Sequence, residues 1–259
     1  MALGNVIIKD VDGNIPSSGV SGQEKVTGLL FDVSLQPELF TAGYGKNNES
    51  KLKLGDVLYI TNFKSAIKDF GIIERVETTE DDENNVNFLH GIPAYHIREF
   101  FRMSGNVDGN GKLYVMFADC SASWDAIDVM QRVAGGTINQ LGVWTEQPLW
   151  KLNGAEEKYN LNIVKTLNGK AVAMADQHQP LSIVLSANSS NTGSSTSEGK
   201  QINLNKIPTA ICESSRISVI FGQARSSKVL TMQKRNVNNT PVGFIGAMLG
   251  AIARANVQG

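Results

Sequence analysis

An acid, a histidine and a serine occur in the order Asp119, His178, Ser186, each beside a stretch that reads as a strand end. Open α/β sheets gather reactive groups at strand ends, so this order is the natural place to look for a nucleophile, a base and an orienting carboxylate. The setting argues against a triad. No serine stands in a Gly-x-Ser-x-Gly frame, and Ser186 follows His178 by only eight residues. Asp119 reads instead as the cap of the turn after its strand.

Other candidate chemistry fails on spacing. Gly43-Tyr44-Gly45-Lys46 has the look of a phosphate loop, but Asn47 replaces the magnesium-binding hydroxyl and the upstream glycine is missing. Asn106-x-Asp108-x-Asn110-Gly111 begins like a calcium loop, yet Phe117 stands where the bidentate glutamate belongs. His90, His96 and His178 lack cysteine or carboxylate partners at ligand spacing. His96, next to Arg98 and Glu99, reads as a surface or half-buried side chain. Cys120 and Cys212 fit no metal spacing and read as free, buried thiols of a reducing cytoplasm. Trp124, Trp144 and Trp150 are spread singly, away from basic clusters, so no stacking platform for single-stranded nucleic acid is built. The sequence therefore assigns no catalytic, cofactor-binding or metal residue, and no cofactor.

Charge excludes further classes. The 259 residues carry a formal net charge of -1 with 19% charged side chains, which offers nothing to DNA or to anionic lipid. No basic segment and apolar run mark a secretory signal at the start. Pro241–Ala255 is rich in Gly and Ala but short of the roughly 20 residues a bilayer requires. Gly246 and Gly250, four apart, fit close packing of a short helix in a soluble core.

The elements alternate. Strands are expected at Val26–Val33, Val57–Ile60, Leu113–Phe117, Gln140–Trp144, Leu181–Leu185 and Arg216–Phe221. Asn62 is placed to cap a helix carrying Ala66, Ile67 and Phe70, stopped at Gly71. Pro93 falls in the first turn of a helix with Ile97, Phe100 and Phe101 on one face. Ser123 is read as the cap of a helix with Ile127, Met130 and Val133 inward, ended by Gly135-Gly136. A further helix carries Leu161, Val164, Leu167, Ala171 and Ala175, with Asn168-Gly169 as an expected interruption. Thr240-Pro241 reads as the start of the last helix, still running at Gln258, so Gly259 is read as a truncation point. Glu77–Asn87 and the Ser/Asn-rich tract Asn188–Gly199 are expected as solvated loops.

The fold expected is α/β, a layered sheet with helices on both faces, preceded by an extended N-terminal arm. Residues 1–22 form the arm and 23–259 the core. In the arm, Val6, Ile7 and Ile8 are a short β-prone run beyond the flexible Pro16–Gly19 joint, which leaves them little to pack against within short reach.

Two linked segments resemble contractile tail sheath proteins of phages. The first is Asp56–Gly71, an apolar strand, the Thr61-Asn62 cap and a short helix closing in Phe70-Gly71. The second runs from Pro93 through Phe100-Phe101, across Gly105 to Gly111, into Leu113–Phe117. Phe88–Phe101, Trp124–Ile127, Gln140–Thr145 and Ala175–Pro180 are similar to a sheath-like phage family long listed as of unknown function. The resemblance spans nearly the whole chain and departs at its end, where such proteins continue into a C-terminal domain. It implies a structural subunit that stacks around an inner tail tube. Its partners would be copies of itself, the tube protein, and baseplate and tail-terminator proteins, in a virion tail assembled in the host cytoplasm. It implies no enzyme, no nucleic-acid partner and no membrane. An α/β hydrolase and a small-ligand-binding α/β domain are the alternatives.

Overall fold

A computed structural model describes residues 26–34, 37–40, 51–72, 91–105, 112–145, 147, 149–153, 156–159, 161–186, 216–221 and 242–255. The arm with Val6, Ile7 and Ile8, Gly43–Lys46, Glu77–Asn87, Asn188–Gly199, Cys212 and Thr240-Pro241 lie outside the described residues.

The sheet is organised around β1 (Val26–Asp32), a seven-residue run buried along its whole length. Such a run, apolar on both faces, suits the middle of a sheet covered on both sides. β3 (Lys112–Ala118) pairs parallel with one edge of β1 and β4 (Gln140–Thr145) with the other. β7 (Ser182–Ser186) and β8 (Ile217–Ile220) extend the β4 side in parallel, and β2 (Val57–Ile60) adds antiparallel to β3. The six-stranded order is β2-β3-β1-β4-β7-β8. Its five parallel strands, renumbered along the chain, read 2-1-3-4-5, with the topological switch point between β1 and β4. A separate hairpin of β5 (Trp150–Asn153) and β6 (Glu156–Tyr159), absent from the sequence reading, follows β4.

Among the described residues five α-helices cover the sheet: α1 (Phe63–Lys68), α2 (Gly91–Ser104), α3 (Ala126–Val133), α4 (Leu161–Asp176) and α5 (Ile245–Arg254). Alternation along each strand sends successive side chains to opposite faces. Leu30, Met116, Val143 and Leu185 meet Ile127 and Met130 of α3 and Val164 and Leu167 of α4. Leu29, Phe31, Val115, Phe117 and Val184 meet Ala66 of α1, Ile97 and Phe100 of α2, and Ile245 and Leu249 of α5. The chain is thus α/β with helices on both faces of the sheet. Among the described residues no helix is long and apolar enough to cross a membrane.

Local signals account for several boundaries. Asn62 accepts the Ser65 amide hydrogen bond at 2.9 Å and caps α1, and Gly71 supplies the left-handed residue beyond it, at φ 66°. The α3–β4 turn is stitched by Gln131, 2% exposed, whose amide donates to the Ile138 carbonyl at 2.6 Å and accepts its N–H at 3.2 Å. Both backbone groups of Ile138 are satisfied as a strand neighbour would satisfy them.

Other expectations are corrected. Val133, read as inward, is 56% exposed, and Ala134 is buried in its place. The cap of α3 is Asp125 rather than Ser123, with no side-chain cap bond. α4 runs through Asn168-Gly169 without a break, because Val164, Leu167, Ala171 and Met174 keep one buried stripe across it. The last helix does not run on to Gln258: α5 starts at Ile245 and ends at Arg254 with Ala255 as its C-cap. Its apolar face has its partner earlier in the chain, on α2 and the sheet.

Candidate functional site

The carboxyl ends of the parallel strands hold a concentration of buried polar groups. Asp32, the last residue of β1, is 1% exposed. One carboxylate oxygen accepts the amides of Ser34 and Cys120, each at 3.2 Å. The other accepts the Thr145 hydroxyl at 2.7 Å and the Gln147 side-chain amide at 3.0 Å. Asp32 therefore ties together the ends of β1, β3 and β4 at the switch point, where doubly wound sheets often bind ligands. All four of its bonds go to protein donors, and the arrangement is that of a latch. The sequence reading did not single out this residue.

The Asp119, His178 and Ser186 side chains are not brought together. Asp119 and Ser186 lie beyond or at the carboxyl ends of β3 and β7. His178 precedes β7, at the opposite end of the sheet, so the length of the strand, about 13 Å for four steps, separates it from Ser186. Asp119 closes its turn by accepting the Ser121 amide at 2.9 Å, and the Ser121 hydroxyl and amide hold its carboxyl below the usual range. Ser186 is 3% exposed and lies under Gly243, where a β-carbon would strike the Ser186 hydroxyl.

His178 has a structural account. It sits past the end of α4 at φ 59°, the only non-glycine described residue with positive φ. The Gln179 amide reaches back to the Met174 carbonyl at 2.9 Å, which is the Schellman closure. A side chain in this conformation is strained relative to glycine. His178→Gly is expected to raise stability by about 0.5–1 kcal/mol in urea melts. A decrease would show that the imidazole makes a contact worth more than the strain.

His96 departs most from expectation. It is fully buried, not a surface or half-buried side chain. It lies on α2 between the rings of Tyr95 and Phe31, at 5.3 Å and 6.1 Å between centroids. Its Nε2 lies 2.6 Å from the Val242 carbonyl oxygen, which can only accept, so Nε2 carries the proton. The bare Nδ1 then accepts the Gly246 amide at 3.3 Å. Trp144 Nε1 donates to the same Val242 oxygen at 3.0 Å. Phe244, the N-cap residue of α5, makes no side-chain cap bond, and His96 supplies an acceptor from another helix. Burial pushes the imidazole down to about 4, opposed by the Val242 hydrogen bond.

Below this junction α2 and α5 touch through backbone. A β-carbon on Gly246 would meet the His96 carbonyl group, and one on Gly250 would meet the Phe100 carbonyl oxygen. The four-residue spacing of the glycines matches the four-residue spacing of the residues beneath them. Under α5, Gly142 of β4 makes room for Leu249 and Ile245.

Cys120 is buried, and burial together with Asp32 and Asp119 pushes its thiol up, away from the reactive thiolate. Trp124 and Trp144 are buried core residues. Among the described residues no group of three or more His, Cys, Asp or Glu side chains is placed to hold a metal ion. No protein-family model matches the chain, and no curated protein matches it at a significant level.

Proposed function

We propose that this chain is a structural subunit of a contractile tail sheath, stacking with copies of itself around an inner tail tube and moving as a rigid body on contraction. The observation that carries the reading is the order and spacing of the two sheath-like segments, Asp56–Gly71 and Pro93–Phe117. The first forms β2 and the Asn62-capped α1; the second forms the α2 helix with its Phe100-Phe101 pair and the strand β3.

Two further features support it. β2 and β8 end the six-stranded sheet, and among the described residues each has one strand neighbour. An edge with free backbone groups accepts an added strand, and strand addition tolerates rigid movement of the cores it joins. The arm run Val6-Ile7-Ile8 is the segment we assign to a neighbour's edge. The second feature is a core closed on both faces of the sheet, able to transmit force without deforming. Contraction would release energy stored between subunits, with no bond made or broken. Baseplate, tail-terminator and tube proteins would be the remaining partners, in a virion tail.

Sedimentation velocity of the purified chain tests this. The expected result is a concentration-dependent boundary of large assemblies above a threshold, unchanged in Ser186→Ala. A monomer at every concentration, together with a serine labelled by an activity-based hydrolase probe, would favour the hydrolase alternative.

A further inference from the structure

We propose that the junction of α2 and α5 is an acid-operated latch, in which protonation of His96 frees α5 from the sheet about the Gly243 hinge while the strands stay folded. The imidazole holds both sides of the start of α5, donating to the Val242 carbonyl before the helix and accepting the Gly246 amide inside its first turn. The second bond requires a bare Nδ1. A proton there turns acceptor into donor, so two N–H groups face each other. It also places a buried positive charge at a helix N-terminus, where the dipole repels it. Gly243, at φ 75°, is the residue about which the helix can swing.

Among the described residues no counter-ion relieves that charge. β1 presents Phe31 to the ring, and β4, Gln140–Thr145, presents Trp144 and contains no charged residue. Asp32, at the end of β1, is engaged with Ser34, Cys120, Thr145 and Gln147. On α2, Glu99 holds Arg102 at 2.6 Å, and Arg98 lies over the Phe63 and Tyr95 rings. Tyr95, pushed up by burial, stays neutral. On α5 the charged group is Arg254, in the last turn.

The direction follows from linkage. The seated imidazole protonates near 4 and a released one near 6.5. Between these values the released form binds the proton and the seated form does not, so the closed state is fully stable above pH 6.5 and loses stability as pH falls. The opening equilibrium grows up to about tenfold per pH unit, approaching roughly 100-fold at pH 4.5.

Hydrogen exchange on the full chain from pH 7.5 to 4.5, corrected for intrinsic exchange, reads this directly. Expected is loss of protection across Ile245–Arg254 by that factor, with β1 and β3 unchanged. His90→Gln/His178→Gln, which keeps only His96, is expected to retain the effect, and His96→Phe to abolish it. Should His96→Phe not fold, nitrogen resonances of His96 in the double variant decide: an Nε2–H tautomer whose proton uptake coincides with α5 release is required. Protection of α5 independent of pH, parallel loss in β1, or persistence in folded His96→Phe would each overturn the latch.

Discussion

Gly246→Ala is expected to destabilise the protein by about 3 kcal/mol, although alanine is the better helix former. The sign is the informative part. At an open helical position the change gains up to ~1 kcal/mol, because glycine loses the most backbone freedom on folding. At Gly246 the new methyl group meets the backbone of His96, which cannot rotate out of the way as a side chain would. The helices must separate, loosening Ile245 and Leu249 over Gly142 and stretching both hydrogen bonds of His96. Gly250→Ala repeats the clash one turn on, against Phe100. Because a single separation relieves both, the double variant should cost less than the two singles combined. Urea denaturation of the three variants measures this. A neutral or stabilising Gly246→Ala would mean that α2 and α5 do not meet through backbone.

Asp32→Ala is expected to cost a similar amount, about 3–5 kcal/mol, through a different mechanism. The carboxylate serves four donors, and its loss leaves the Cys120 amide and Thr145 hydroxyl without that acceptor in buried positions. Each orphaned buried donor costs about 1–3 kcal/mol. Asp32→Asn keeps an acceptor oxygen and the side-chain volume and is expected to cost roughly half as much. Denaturant melts give the ranking, wild type above Asn above Ala. If Ala and Asn were both neutral, the carboxyl ends of β1, β3 and β4 would be held by packing alone.

These two sites differ in how far the sequence announced them. Gly246 and Gly250 were visible as a close-packing pair, and the remaining question was which helix they meet. Its answer was partly legible too, since His96 and Phe100 stand four apart and a four-residue step keeps one helical face. Reading His96 by its neighbours Arg98 and Glu99 hid this, whereas reading it with Phe100 places it in the core. Asp32 carried no such signal. An acid at the end of an apolar run reads as the point where a strand reaches solvent, and apart from Ser34 its partners are some 90 to 115 residues away in sequence.

The strands were legible because four of them, β1, β3, β4 and β7, are buried nearly throughout and read as largely apolar runs. The ends of helices were less so wherever tertiary structure replaced a local cap. α5 starts at Ile245 without a side-chain cap of its own, and His96 supplies the acceptor at Gly246 from another helix. Val133 fits a helical stripe on paper, but α3 is short enough that Ile127, Met130 and Ala134 cover the sheet without it.

Under the proposed function this chain works by assembling with itself, through an arm that pairs outside its own core. Electron micrographs of the intact chain beside a variant lacking residues 1–15, with thermal melts of both monomers, test it most directly. Expected are rings or tubes for the intact chain, none for the shortened one, and nearly equal melting temperatures for the two monomers. A shortened monomer that melts far lower would put the arm in its own sheet, and an intact chain that forms no ordered assembly would contradict the sheath reading itself.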